Sequence, residues 1–164
     1  MKKSDLQNRA VIMCGISGSG KTYYARRLEE QGYIRLSADA LIWEKAGKGL
    51  DNLSEEEKRH LFAECGCEVR KQLALLLKSG EKVVVDATHC KRSARDEIRK
   101  ICREVEVEPV FLFCEAGKEE LWQRLSQRKG EGPDDLRVTS DELSDYWLGF
   151  ERPQEDETDF ITVK

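Results

Sequence analysis

Eight consecutive residues, Gly15-Ile16-Ser17-Gly18-Ser19-Gly20-Lys21-Thr22, carry the densest chemistry in this chain. They fit G-x-x-x-x-G-K-[ST], the spacing of a phosphate-cradling loop. The glycines let the backbone turn sharply and bring its N–H groups against a polyphosphate. A helix starting at the loop's end would aim its unpaired donors and positive dipole end at the same charge. On this reading Gly15, Ser17, Gly18, Ser19 and Gly20 form the cradle. Lys21 reaches the β- and γ-phosphates, and the Thr22 hydroxyl ligates Mg²⁺.

Further groups stand where a parallel sheet would gather its ligand crevice, beyond the carboxyl ends of its strands. Asp39 could accept the proton of an attacking hydroxyl or touch Mg²⁺; as an alternative, Ser37 or Asp39 could cap the following helix. Asp86 ends a Val-rich run, the position of a Walker-B carboxylate that holds Mg²⁺ directly or through water. A turn-forming Asp is the competing reading. His89, close behind, reads as a turn residue. Arg124 and Arg128 are four apart, so on one helix they would project from one face. Two guanidinium groups there could offset charge on a transferring phosphate, or simply form a solvated face. Arg137 follows.

The elements that must position these groups can be read from hydrophobic periodicity and breakers. Arg9–Cys14 reads as a buried strand and Lys21–Glu30 as a helix stopped at Gln31-Gly32. Tyr33–Ser37 alternates as a second strand. A short helix follows through about Lys45, broken at Gly47-Lys48-Gly49. Ser54-Glu55-Glu56-Glu57 is a capping box for a long helix to about Lys78, with Leu61, Cys65, Val69, Leu73 and Leu76 as its apolar stripe. Lys82–Asp86 is a third strand, suited to the middle of a parallel sheet. A helix over about Ser93–Arg103 precedes a fourth strand, Pro109–Cys114. Lys118–Lys129 reads as a helix, Gly130–Pro133 as a flexible turn, and Ser140 caps a helix to about Gly149. Phe160–Val163 is a candidate edge strand. Residues 1–8 are polar and read as a loose arm. Alternating strands and helices imply an α/β layered domain with a parallel sheet.

At 164 residues the chain fits one domain with a sizeable core. Its net charge of −4 argues against bulk electrostatic capture of nucleic acid. No stretch approaches a membrane span, and no apolar run follows the polar start as a secretory signal requires. Six scattered cysteines, with Cys65-Gly66-Cys67 too tight for a zinc knuckle, read as reduced thiols of a cytoplasmic protein.

Taken together, Gly15–Thr22, Ser37-Ala38-Asp39, Asp86-Ala87-Thr88 with Arg95 beyond, Arg124–Arg128 and Phe150-Glu151-Arg152-Pro153 resemble P-loop kinases. The group is that of the polynucleotide 5′-hydroxyl kinases, zeta toxins and chloramphenicol phosphotransferase. The resemblance implies a three-layer P-loop NTPase fold over residues 1–164. Its parallel five-stranded sheet has order 2-3-1-4-5, with helices on both faces and a small helical lid at about 118–139. It implies ATP and Mg²⁺ as cofactors. It makes Asp39 the acceptor-side base and Arg124 and Arg128 the lid arginines, and sets Asp86, Thr88 and Arg95 toward metal and acceptor. Two positions depart from the pattern. Polynucleotide kinases place an Arg three residues after the catalytic Asp, where this chain has Ile42, followed by Trp43. The residue after Asp-Ala-Thr is commonly Asn and here is His89. Both departures count against a nucleic-acid acceptor.

The reading is therefore an ATP-dependent kinase transferring the γ-phosphoryl group to a hydroxyl acceptor, with Lys21, Asp39, Arg124 and Arg128 catalytic. A polynucleotide 5′-hydroxyl kinase and an ATP-binding regulatory or partner-dependent protein without its own acceptor remain open. The acceptor, the choice of nucleoside triphosphate and the oligomeric state are not written in these motifs. The acceptor pocket is expected from about Leu41 to Arg59.

Overall fold

Five short strands form one parallel sheet, and their sequences explain why they sit inside it. In the computed structural model, which describes residues 8–164, β1 (Ala10–Cys14) and β4 (Pro109–Cys114) are buried at every position. So is β3 (Val83–Asp86). Such unbroken apolar runs suit strands covered on both faces. With β2 (Ile34–Ser37) and β5 (Phe160–Val163), the sheet order is β2-β3-β1-β4-β5. All four pairings are parallel. Both the order and the edge placement of residues 160–163 agree with expectation. The polar start, residues 1–7, lies outside the described residues.

Helices cover both faces. On one, Ala25 and Leu28 of α1 (Lys21–Glu29) pack on Val11, Met13, Val84 and Leu112. On the other, Val69, Leu73 and Leu77 of α3 (Glu55–Lys78) join Ile98 and Cys102 of α4 (Arg92–Glu104) over Ile12, Val85 and Phe111. The Ser54 capping box forms as read, Ser54 and Glu57 each satisfying the other's backbone N–H. The stripe on α3 runs Cys65, Val69, Leu73, Leu77, so its last fully buried position is Leu77; Leu76 is only partly buried.

The remaining elements gather at the carboxyl end of the sheet. Here α2 (Ala38–Ala46) leads into a 3₁₀ turn over Gly47–Asn52. Ile42, Leu50 and Cys65 cluster with Leu136 from the segment beyond β4. Leu121 and Leu125 of α5 (Lys118–Leu125) and Leu143 of α6 (Ser140–Gly149) close around Ile16 of the Gly-rich loop. The helix expected over 118–129 ends at Leu125. Gly130 adopts a left-handed φ of 73°. Asp135 then takes over local donors, its carboxylate accepting from the Lys129 and Glu131 N–H groups.

Candidate active site

The Gly-rich loop leaves β1 and enters α1 with the geometry of an anion cradle. Gly15 sits so close to β4 that a Cβ there would lie 2.7 Å from the Cys114 carbonyl oxygen and 2.7 Å from Ser19 Oγ. Its N–H donates to the Thr88 carbonyl at 3.0 Å, tying the loop to the segment after β3. Gly20 caps α1 in the left-handed region, φ 100°, and offers no capping side chain, so that helix end keeps free donors. Ser19 Oγ is buried without a hydrogen-bond partner. An oxygen ligand in the loop would satisfy it, so the residues present fit a polyphosphate.

Lys21 is buried, and Nζ donates to the Ile16 carbonyl at 2.9 Å. Burial pulls its pKa below the ordinary lysine value, opposed by the charges of Asp86 and Asp39 and reinforced by Arg128. These four groups therefore feel one another around the loop, although they come from α1, the end of β3, the start of α2 and the turn after α5.

The capping role open to Ser37 or Asp39 is taken by Ser37. Ser37 is the N-cap of α2, its hydroxyl accepting from the Ala40 N–H at 3.1 Å. The Asp39 carboxylate forms no hydrogen bond or ion pair among the described residues. Burial raises its pKa above the ordinary aspartate value, with Asp86 and Asp134 adding to the rise and Lys21 and Arg128 opposing it. Such a carboxylate is a stronger base than an exposed one.

Asp86 is 5% exposed and carries a partner that the sequence reading did not name. Arg35 of β2 donates to Asp86 Oδ2 from Nε at 3.0 Å and from a terminal nitrogen at 2.7 Å. The same terminal nitrogen reaches Asp134 Oδ1 at 2.9 Å, and Arg26 of α1 pairs with the other Asp134 oxygen. Both Arg35 bonds fall on a single Asp86 oxygen, which leaves Oδ1 open. Among the described residues, no group of three or more His, Cys, Asp or Glu could hold a metal ion. A cation here would take Thr22 and Asp86 as its protein contacts and the rest of its shell from phosphate and water, the usual habit of Mg²⁺. In the sequence, Arg35 was detectable as the single charged residue of β2, a half-buried cation that needs an anion. Asp134 gave no such signal.

The two candidate lid arginines are placed differently. Arg124 on α5 donates to the Gly18 carbonyl at 2.9 Å and pairs with Glu120. Arg128 lies beyond the end of α5, so the shared helix face does not form. It reaches its place from the following turn, donating to the Leu136 carbonyl at 3.1 Å, and its charge acts on Lys21 and Asp39. Arg137 is 3.7 Å from Asp51. Thr88 meets the loop through its backbone carbonyl.

Arg95 stands apart from this group. It is fully buried, gripped by both Glu157 oxygens at 2.9 and 2.7 Å and by the carbonyls of His89 and Glu151. Its donors are spent on holding the C-terminal segment, not aimed at a ligand. His89 also faces inward. It adopts φ 45°, a left-handed conformation in which His and Asn are both enriched. Nδ1 lies 2.7 Å from the Met13 carbonyl, so Nδ1 carries the proton. Burial pushes its pKa down to about 4, and the ring is neutral at pH 7.

With this geometry in view, residues 11–153 match the AAA_33 family, an AAA domain. The chain belongs to that family. No curated protein matches it by sequence. Among solved structures, it resembles a gluconokinase from Sinorhizobium meliloti 1021 at 25% identity and TM-score 0.67, covering 94% of this chain and 81% of that one. A sugar kinase from Janibacter sp. HTCC2649 aligns at 20% identity and TM-score 0.68, with 95% and 84% covered. Chaetomium thermophilum Kti12, solved in complex with ADP-AlF3, aligns at 14% identity and TM-score 0.71, with 94% and 88% covered. The AAA_33 chain described here therefore has the P-loop kinase fold. Among its described residues, no helix is long and apolar enough to cross a membrane.

Proposed function

We propose that this protein is a Mg·ATP-dependent kinase of a small hydroxyl-bearing acceptor, built as one P-loop domain with a lid at about 118–139. The observation that carries the reading is Asp39: a carboxylate relieved of capping by Ser37, unpaired, raised in pKa by burial, and within the electrostatic reach of the P-loop lysine. A protein that only binds nucleotide has no use for it. The gluconokinase and sugar-kinase neighbours support transfer to an alcohol, and the Kti12 complex supports an adenine nucleotide on this fold.

In the reaction, the acceptor oxygen forms its bond to the γ-phosphorus as the bond from that phosphorus to the β,γ-bridging oxygen breaks. Asp39 takes the hydroxyl proton. Lys21 offsets charge on the β- and γ-phosphates, and Arg124 and Arg128 do so from the lid side. Thr22 and Asp86 would hold Mg²⁺, which when bound would supply charge neutralisation on the phosphates. The loop and lid contribute positioning and exclusion of water. We place the protein in the cytoplasm, the setting in which its six cysteines stay as thiols.

The test is Asp39→Asn in a γ-labelled ATP transfer assay over a panel of alcohols. General-base loss should lower kcat by about 10² to 10⁴-fold, with ATP affinity unchanged within about twofold. Equal turnover in the variant removes Asp39 from the mechanism.

A further inference from the structure

A second feature is a cavity of about 240 Å³ between the 3₁₀ turn at 47–52, the first turns of α3, residues 137–139 and α6. Asp51, Lys58, Phe62, Arg137, Glu142 and Tyr146 give it its chemistry. Only Asp51 and Lys58 of this set fall in the expected stretch of 41–59; Phe62 comes from further along α3, Arg137 from the lid side, and Glu142 and Tyr146 from α6.

We infer that this cavity is the acceptor subsite and that it selects a compact, non-phosphorylated polyhydroxy compound, a sugar or cyclitol, over a nucleic acid or a sugar phosphate. The inference rests on the kinase reading of Asp39.

The charges of the cavity carry the argument. Its two cations are already matched by carboxylates. Lys58 Nζ is 3.3 Å from Glu142 and 3.6 Å from Glu55, and Arg137 is 3.7 Å from Asp51. A site for a phosphate or a nucleic-acid backbone keeps uncompensated Arg or Lys aimed at it. Here a polyanion would meet Asp51 and Glu142 as readily as Lys58 and Arg137. A neutral polyol has the opposite needs. Its hydroxyls both donate and accept, so carboxylates and cations side by side serve it together.

The aromatic rings supply the other half. Phe62 and Tyr146 remain 38% exposed although they line a cavity. Their faces suit the apolar C–H face of a sugar ring. Leu50 connects the cavity to the chemistry: it lines the cavity and packs with Ile42, which follows Asp39 on α2. The Tyr146 phenol, its pKa pushed up to about 12 mainly by burial, stays a neutral donor. Glu142 is already set in place by the α6 capping box, where its carboxylate accepts from the Thr139 N–H at 2.8 Å.

The experiment pairs binding with transfer. Ligand-detected NMR would measure binding of glucose, gluconate, myo-inositol, pentitols, glucose 6-phosphate and a 5′-hydroxyl oligonucleotide to the wild type, Phe62→Ala and Glu142→Gln. Transfer from γ-labelled ATP would be followed on the same panel. Phe62 is at the surface and Gln keeps the capping box, so both variants should fold; thermal melts check this. Expected are binding and phosphorylation of a non-phosphorylated polyol, a rise of about tenfold in its Kd and KM in each variant, and ATP affinity unchanged within about twofold. Preference for the oligonucleotide or the sugar phosphate overturns the inference while leaving a kinase. Polyol binding that ignores both substitutions, or is absent, overturns it as well. Polyol binding that depends on the cavity, with no transfer, upholds the site and refutes the kinase reading instead.

Discussion

Acid should weaken this fold between pH 6.5 and 4.5, with His89 as the cause. The ring lies edge-to-face with Phe111 and on the Met13 carbonyl, and burial holds its pKa at about 4 against the ordinary 6.5. The charges of Lys21 and Arg95 reinforce that depression, while hydrogen bonds to the Met13 and Ala87 backbone oppose it. The unfolded chain therefore binds a proton that the folded chain refuses. Stability is fully present above pH 6.5 and is lost as pH falls toward 4. Across that window the full loss is about 3 kcal/mol, at about 1.4 kcal/mol per pH unit. By pH 4.5 it is about 2.5 kcal/mol. Other groups act in the same range. Asp39, raised in the fold, works with the opposite sign, and Glu157, held down to about 2, contributes only below about 4.5. Comparison with His89→Asn cancels them, because both remain in the variant, and Asn tolerates the left-handed backbone at this position. Urea unfolding followed by tryptophan fluorescence at half-unit steps from pH 7.5 to 4.5 measures both proteins. The stability difference, wild type minus variant, should fall by about 2.5 kcal/mol from the top of that range to the bottom. Parallel profiles would refute the burial argument for this ring.

Three further outcomes follow from contacts at the site. Arg35→Met leaves Asp86 as a buried carboxylate without its partner and should cost about 3 kcal/mol; Mg·ATP should raise the melting temperature of the variant more than that of the wild type, and equal shifts would count against metal binding at Asp86. Gly15→Ala places a Cβ 2.7 Å from a backbone oxygen of β4, at a φ of 147° that side chains rarely adopt, so calorimetric titration should show ATP affinity lowered by about tenfold or more. Glu157→Gln removes the charge that two buried arginines share and should destabilise the protein by about 3 to 5 kcal/mol in denaturant titration, without a selective effect on acceptor KM.

The Gly-rich loop and the strand–helix alternation were legible because each is written locally. Consecutive Val, Ile and Leu bury a strand whatever its neighbours do, and Ser54 with Glu57 caps α3 within one turn. The end of α5 was not legible. Arg and Gln residues favour helix through Lys129, but Gly130 and the Asp135 carboxylate capture the backbone there instead. Arg95 misled for a related reason. Its spacing after Asp86-Ala87-Thr88 resembled a ligand-facing position, yet its partner, Glu157, is 62 residues away. Arg35 is the converse case, a functional neighbour whose partners come from β3 and from the 3₁₀ turn Pro133–Asp135. Long-range charge pairing of this kind has no periodicity in the sequence.

Ile42 shows how a single departure from a motif can be structural and still bear on specificity. Where a polynucleotide kinase would set an Arg toward the acceptor's phosphate, this chain buries Ile42 with Leu50, Cys65 and Leu136. Leu136 belongs to the proposed lid and is 8% exposed. Burying such a side chain favours the closed arrangement by about 1.5 to 3 kcal/mol. The Arg26–Asp134–Arg35 chain pins the same segment as well. Neither device uses a charge on the acceptor. An Arg at position 42 would instead leave a cation in an apolar seat until an anionic acceptor arrived to match it. On the proposed reading, Ile42 gives up a phosphate-reading group, builds a lid seat with the same residue, and shifts recognition of the acceptor from α2 toward the charge-balanced wall of α3, the lid and α6.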